Sequence, residues 1–162
     1  MVDSQRMEAI RRFDSTTLQD ALEAWAWIGL EGKAPLFTSP FGDVFLQDAT
    51  GIWYLDRIEG SLSREWTGGR ALQQVLNTVE GQDRYLLIGL AVDAEESGLM
   101  PGPNEIYDFR VPPVLGAPIE VANVEVSDLT VALHLSGQLH QQVKDLPPGT
   151  TISGVTVEGQ EP

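Results

Sequence analysis

Phe41-Gly42-Asp43-Val44-Phe45-Leu46-Gln47, then Asp48-Ala49-Thr50-Gly51, then Ile52-Trp53-Tyr54-Leu55-Asp56 are the residues whose reading decides the fold. The outer stretches are rich in β-branched and aromatic side chains and the middle one is built of turn formers. Together they predict a β-hairpin with strands over 42–47 and 52–56. A third short strand over 60–65 extends it into a meander. Gly42, Gly51 and Gly60 read as turn and bulge residues, since none opens a helix at the spacing of a phosphate-binding loop.

Working outward toward the N-terminus, Leu18, Ala21, Leu22, Trp25 and Ile28 recur at helical spacing after Asp14-Ser15-Thr16. Thr16 and Gln19 have the spacing of a capping box, so an amphipathic helix to about Leu30 is expected. Pro35 and Pro40 bracket a linker. Toward the C-terminus, Leu72, Val75, Leu76 and Val79 form a one-sided helical stripe. A second helix over 83–97 is apolar nearly all round, which predicts burial against the sheet, and Gly98 suits its C′ position. Met100-Pro101-Gly102-Pro103 then turns into a strand over 106–111, which Pro112-Pro113 keeps out of a sheet centre.

From Leu129, the alternation of Leu129, Val131, Leu133 and Leu135 with Thr130, Ala132, His134 and Ser136 predicts a half-buried strand. Pro147-Pro148-Gly149 suits a type II turn, and Thr151 to Val157 a last strand. The expectation is a single α+β domain over 1–162. A mainly antiparallel sheet packs against an N-terminal helix and two central helices, with a helical part over 1–40 and the hairpin, two helices and C-terminal strands over 41–162.

The 162 residues carry a formal net charge of −14, with no cysteine and two histidines. Met1 to Pro40 has six acids against four bases, whereas Phe41 to Pro162 has eighteen against six. Such a field repels nucleic acid and anionic membranes and accelerates docking onto a basic partner. Without cysteine there are no disulfides, thiolate nucleophiles or sulfur-rich zinc sites, a composition that suits a reducing compartment. The opening stretch is polar and charged, unlike a signal peptide, and the longest apolar run, Tyr85 to Val92, is far short of a bilayer span. A soluble cytoplasmic protein is the expectation.

Chemistry is harder to place. His134 and His140 lie six residues apart, about 20 Å along one strand, too far to share an ion without a fold-back. Asp93-x-Glu95-x-Ser97-Gly98 has the opening cadence of a calcium loop, but Asn104 stands at the twelfth position, where a bidentate Glu is needed, and Pro101 and Pro103 stiffen the exit. Ser136 and His134 can be combined on paper with an acid, yet no G-x-S-x-G elbow and no glycine-rich phosphate loop occurs. No carboxylate pair is singled out for glycoside hydrolysis. No enzyme activity, cofactor or metal is therefore expected.

Phe41-Gly42-Asp43-Val44-Phe45-Leu46, Gly51 with Leu55-Asp56, Gly60, Leu99 to Pro103 followed by Tyr107, Phe109, Pro112-Pro113, Leu115-Gly116 and Asn123 resemble, in order and spacing, the C-terminal domain family of type VI secretion DNase immunity proteins. The resemblance covers roughly Trp27 to Asp128, and the run Gly137 to Thr150 is similar to a subgroup associated with that family. It implies an α+β immunity domain that binds a toxin effector, a DNase in the type case, and blocks it inside the producing cell. Where the family often has Leu-Gly-Gly, this chain has Leu115-Gly116-Ala117, which implies a different local turn.

Between Asp93 and Asp128 stand eight acids, namely Asp93, Glu95, Glu96, Glu105, Asp108, Glu120, Glu125 and Asp128, and one base, Arg110. Glu95 and Glu96 fall in the last turn of the expected helix, where the macrodipole disfavours anions by about 0.3–1 kcal/mol each. Helix stability gives no reason for them; a solvated surface accounts for them, and the alternative is an acidic patch that faces a basic partner. Asp93, Glu95, Glu96, Glu105 and Asp108 are the candidate partner-facing acids. Trp53, Tyr54, Trp66 and Tyr107 are the candidate aromatic anchors, with burial in the core as the competing role. A non-catalytic accessory or scaffold domain is the alternative function.

Overall fold

The meander forms as the turn chemistry requires. In a computed structural model describing residues 8–146, β2 (Val44–Asp48), β3 (Gly51–Asp56) and β4 (Ser61–Trp66) are antiparallel neighbours. At the first turn, the Asp48 carboxylate accepts hydrogen bonds from the Thr50 amide at 2.8 Å and the Thr50 hydroxyl at 2.6 Å. The expected linker before the hairpin contains a fourth strand instead, β1 (Ala34–Thr38), which pairs with β2. Pro35 is tolerated there because β1 is an edge strand, and the register shifts between Pro35 and Phe37.

Both faces of this sheet are covered. Val44, Leu46 and Leu55 pack with Leu18, Leu22 and Trp25, while Phe45, Ile52 and Tyr54 pack with Trp66, Leu72, Tyr85 and Leu86. Burial on two sides explains why β2 and β3 lack a polar face. The N-terminal helix is shorter than its apolar spacing suggests. It comprises α1 (Ser15–Ala21) and then a 3-10 helix, Glu23–Ile28, ended by Gly29. Asp14 rather than Thr16 takes the N-cap position, and no side chain caps it. The tighter winding sets Trp25 into the core and leaves Trp27 stacked beside it, with ring centroids 5.6 Å apart.

The expected second central helix is broken. After α2 (Gly69–Leu76) come the single turn α3 (Val79–Gly81), a π-helical turn Gln82–Leu86, and α4 (Ile88–Glu96). Leu87 separates the last two with φ +49, a conformation that costs a non-glycine residue about 1–2 kcal/mol. The break has a packing reason. Tyr85 and Leu86 cover the four-stranded sheet, whereas Ala91 and Ala94 cover Tyr107, Phe109 and Val124, and one straight helix cannot serve both. Gly98 takes the C′ position as expected, with φ +93, and the Leu99 amide reaches back to the Ala94 carbonyl at 3.0 Å.

β5 (Glu105–Phe109) pairs with β6 (Val124–Asp128) in a two-stranded antiparallel ribbon, placing Glu105 opposite Asp128 and Asp108 opposite Glu125. Between them Gly116 has φ +97 and Ala117 does not adopt the left-handed conformation.

The residues read as a strand from Leu129 form a helix, α5 (Leu129–Val143). Asp128 caps it by accepting a hydrogen bond from the Val131 amide at 3.0 Å. Its buried side is Leu129, Ala132, Leu133, Gly137 and His140, a helical spacing, while Val131 is 45% exposed. The expected turn at 147–149 and strand over 151–157 lie outside the described residues. The architecture is a single α+β domain, and no helix among the described residues is long and apolar enough to cross a membrane.

Candidate functional site

Arg57, just past β3, joins the four-stranded sheet to the ribbon. Its Nε donates to the Phe41 carbonyl at 2.7 Å, and Nη2 donates to Asp108 Oδ1 at 2.8 Å. Its backbone amide donates to Asp43 Oδ1 at 2.9 Å, and Asp43 Oδ2 accepts from the Ser39 hydroxyl at 2.9 Å. Burial pushes the Asp43 carboxyl up to about 7, with Asp56 adding to the rise and Arg57 opposing it. A carboxyl poised near neutrality is what a general base needs. Asp43 is nevertheless 1% exposed and its carboxylate is taken up by Ser39 and the Arg57 amide, as part of the joint.

Because its folded-state pKa lies above the ordinary value of 3.8, Asp43 takes up a proton on folding between about pH 4 and pH 7. Its contribution to stability is therefore largest below about pH 4 and falls as pH rises through 7. The stability of the wild type minus that of Asp43→Asn should decrease between pH 4.5 and 7.5 in denaturant titrations. A difference independent of pH would show that the buried carboxyl does not titrate there.

Beyond the Asp108 side of the ribbon lies a cavity of about 310 Å³, between the ribbon, α5 and the 3-10 turn Pro113–Leu115. Ile58, Val114, Leu135 and Leu139 supply apolar lining, and Arg57, Asp108, Arg110, Glu125 and His140 the charged and titratable groups. His140 is buried, its ring 5.5 Å from that of Trp25 and pressed on Gly60, where any Cβ would collide with the imidazole. Burial holds His140 below its ordinary pKa, with backbone contacts to Arg57 and Ile58 opposing. Val111 and Ile119, at the ends of the loop that carries Leu115, are 48% and 50% exposed, and Leu115 is 40% exposed. The loop thus presents an apolar surface beside the cavity.

No family model matches the chain, and no curated protein matches its sequence.

The nine sequence-derived partner residues do not form one site. Tyr107 is fully buried, Tyr54 and Trp66 are buried in the aromatic cluster around Phe45, and none of these three can anchor a partner. The correction follows from two-sided packing, which buries side chains that a one-sided meander would expose. Trp53 is half-buried, with Lys33 Nζ 4.2 Å from its ring centroid on the sheet. Asp108 is bound to Arg57, and Glu105 Oε1 accepts from the Gly102 amide at 2.8 Å, so both carboxylates hold the fold together.

Asp93 and Glu96 are exposed on α4, and Glu95 is half-buried beside Tyr107, whose hydroxyl pKa its charge helps burial to raise to about 12. Asp93, Glu95 and Glu96 are helical, with Gly98 in the helix cap, which is not the backbone of a calcium loop. Among the described residues no group of three or more His, Cys, Asp or Glu side chains could hold a metal ion. Ser136 bonds to the Ala132 and Leu133 carbonyls and His134 to that of Asp20, so the triad drawn on paper is not assembled.

What sequence reasoning missed is the loop. Val111 to Ile119 is an uncharged run of nine residues inside the most acidic stretch of the chain, and that contrast was its available signal.

Proposed function

We propose that this protein is a non-catalytic immunity protein that binds a basic nuclease toxin in the cytoplasm and blocks it by occlusion, in the manner of the type VI secretion DNase immunity family it resembles. The observation that carries this reading is the exposed apolar loop of Val111, Leu115 and Ile119, set in the acid-rich stretch that also supplies Glu120 and Glu125. Protein interfaces combine an apolar centre that provides affinity with charged surroundings that steer association. Asp93 and Glu96 contribute to steering from α4, and the loop replaces the buried aromatics as the anchor.

The test begins with pull-down of neighbouring gene products and proceeds to stopped-flow association with the nuclease so captured. Asp93→Lys/Glu96→Lys should slow association and flatten its salt dependence while leaving the melting temperature unchanged or slightly higher, because the lysines suit a helix C-terminus. Leu115→Asp should instead speed dissociation by about tenfold or more. Unchanged rates in both variants would remove this surface from the interface.

A further inference from the structure

Arg110 and Glu125 both line the cavity, and neither forms an ion pair or side-chain hydrogen bond with the other or with any other described residue. Arg110 is the one base between Asp93 and Asp128. The Arg110 amide donates to the Asn123 carbonyl at 2.7 Å, which continues the ribbon register one step beyond Phe109 and Val124. Arg110 is therefore the diagonal neighbour of Glu125, on the ribbon face turned to the cavity, at a backbone separation of about 7–8 Å. The remaining ionic pair in the cavity, Arg57 with Asp108, is closed at 2.8 Å. The cavity thus offers one cation without a protein partner, exposed at its mouth, and one half-buried anion without one, beside an apolar wall.

We propose that this cavity binds a free apolar α-amino acid, with its carboxylate on Arg110, its ammonium on Glu125 and its side chain against Val114, Leu135 and Leu139. The charges of an α-amino acid lie a few ångströms apart, so the ligand with its two ion-pair contacts spans the gap between diagonal neighbours. A fatty acid leaves Glu125 unpaired and an apolar amine leaves Arg110 unpaired, whereas the zwitterion satisfies both. The volume, about 310 Å³, is at the small end of ligand sites. A second groove, between the N-terminal helix and β1, does not repeat this arrangement, because its Lys33 is already held by Asp48 and Trp53. The inference does not depend on the toxin reading.

The test is calorimetric titration of the full chain with L-phenylalanine and L-leucine, beside L-phenylalanine methyl ester, N-acetyl-L-phenylalanine and glycine. Saturable binding of the two free apolar amino acids is expected, weakened about tenfold or more in the ester, which lacks the carboxylate charge, and in the acetyl form, which lacks the ammonium. Arg110→Gln should weaken the free amino acid and erase its advantage over the ester. Glu125→Gln should do the same relative to the acetyl form. Both side chains lie outside the core, and melting curves will confirm that the variants fold. Absence of saturable binding at millimolar ligand overturns the proposal, as does equal binding of the blocked forms or indifference to both substitutions.

Discussion

Arg57→Met is expected to destabilise the protein by about 3–5 kcal/mol, the loss typical of removing one partner from a buried ion pair. The substitution leaves the Asp108 carboxylate without its cation and the Phe41 carbonyl without its side-chain donor. Methionine replaces most of the aliphatic stem, so the loss reports the polar contacts rather than a cavity. Arg57→Lys should recover part of it, because an ammonium can reach Asp108 or Phe41 but cannot reproduce the fork that serves both. Chemical denaturation of the three proteins measures the series. A loss below about 1 kcal/mol for Arg57→Met would mean that the joint between sheet and ribbon is held by its other contacts and not by the Arg57 side chain.

Leu133→Ala should cost about 2–5 kcal/mol, since the side chain is fully buried among Leu18, Trp25 and Leu129. Val131→Ala should change stability by less than about 0.5 kcal/mol. A strand would bury the two together, while α5 places Leu133 inside and Val131 outside. Comparable losses at both positions would overturn the helical assignment.

That pair shows where the sequence misleads. From Leu129 to Ser136 apolar residues alternate, yet Leu129, Ala132 and Leu133 also satisfy helical spacing, and Ala132 fits either face because it is small. The deciding signals were Asp128 as an N-cap and the continued run through Leu139 and His140, which is too long for a common strand. The meander was legible because its turns carry their own chemistry, as Asp48 and Thr50 demonstrate. Gly98 was legible for the same reason.

Leu87 was not. Its left-handed conformation is imposed by two clusters pulling neighbouring turns in different directions, and nothing local announces it. Most of the site was hidden too. Burial of Tyr54, Trp66 and Tyr107 depends on which elements cover each sheet face, and the association of Arg57 with Asp108 spans 51 residues. The apolar loop was written plainly in the composition of 111–119, but attention to charge passed over the place where charge is missing.

The like-charged partners in the β5–β6 ribbon bear on the order in which the molecule assembles. An isolated two-stranded hairpin is marginal in water, and carboxylates directly opposite one another weaken it further. Here Glu105 faces Asp128 and Asp108 faces Glu125, with residues 110–123 to be closed into a loop between the strands. The ribbon therefore gains its stability from outside, through Arg57, through Arg11 bonded to the Glu105 carbonyl at 2.8 Å, and through the Tyr107 amide bonded to the Pro40 carbonyl at 2.9 Å. Its strands also carry Ile106, Tyr107, Phe109 and Val124 into the core, so the ribbon closes together with the elements that supply its partners and not ahead of them. Since one wall of the cavity and the whole apolar loop hang from it, both take their shape only when the ribbon is closed.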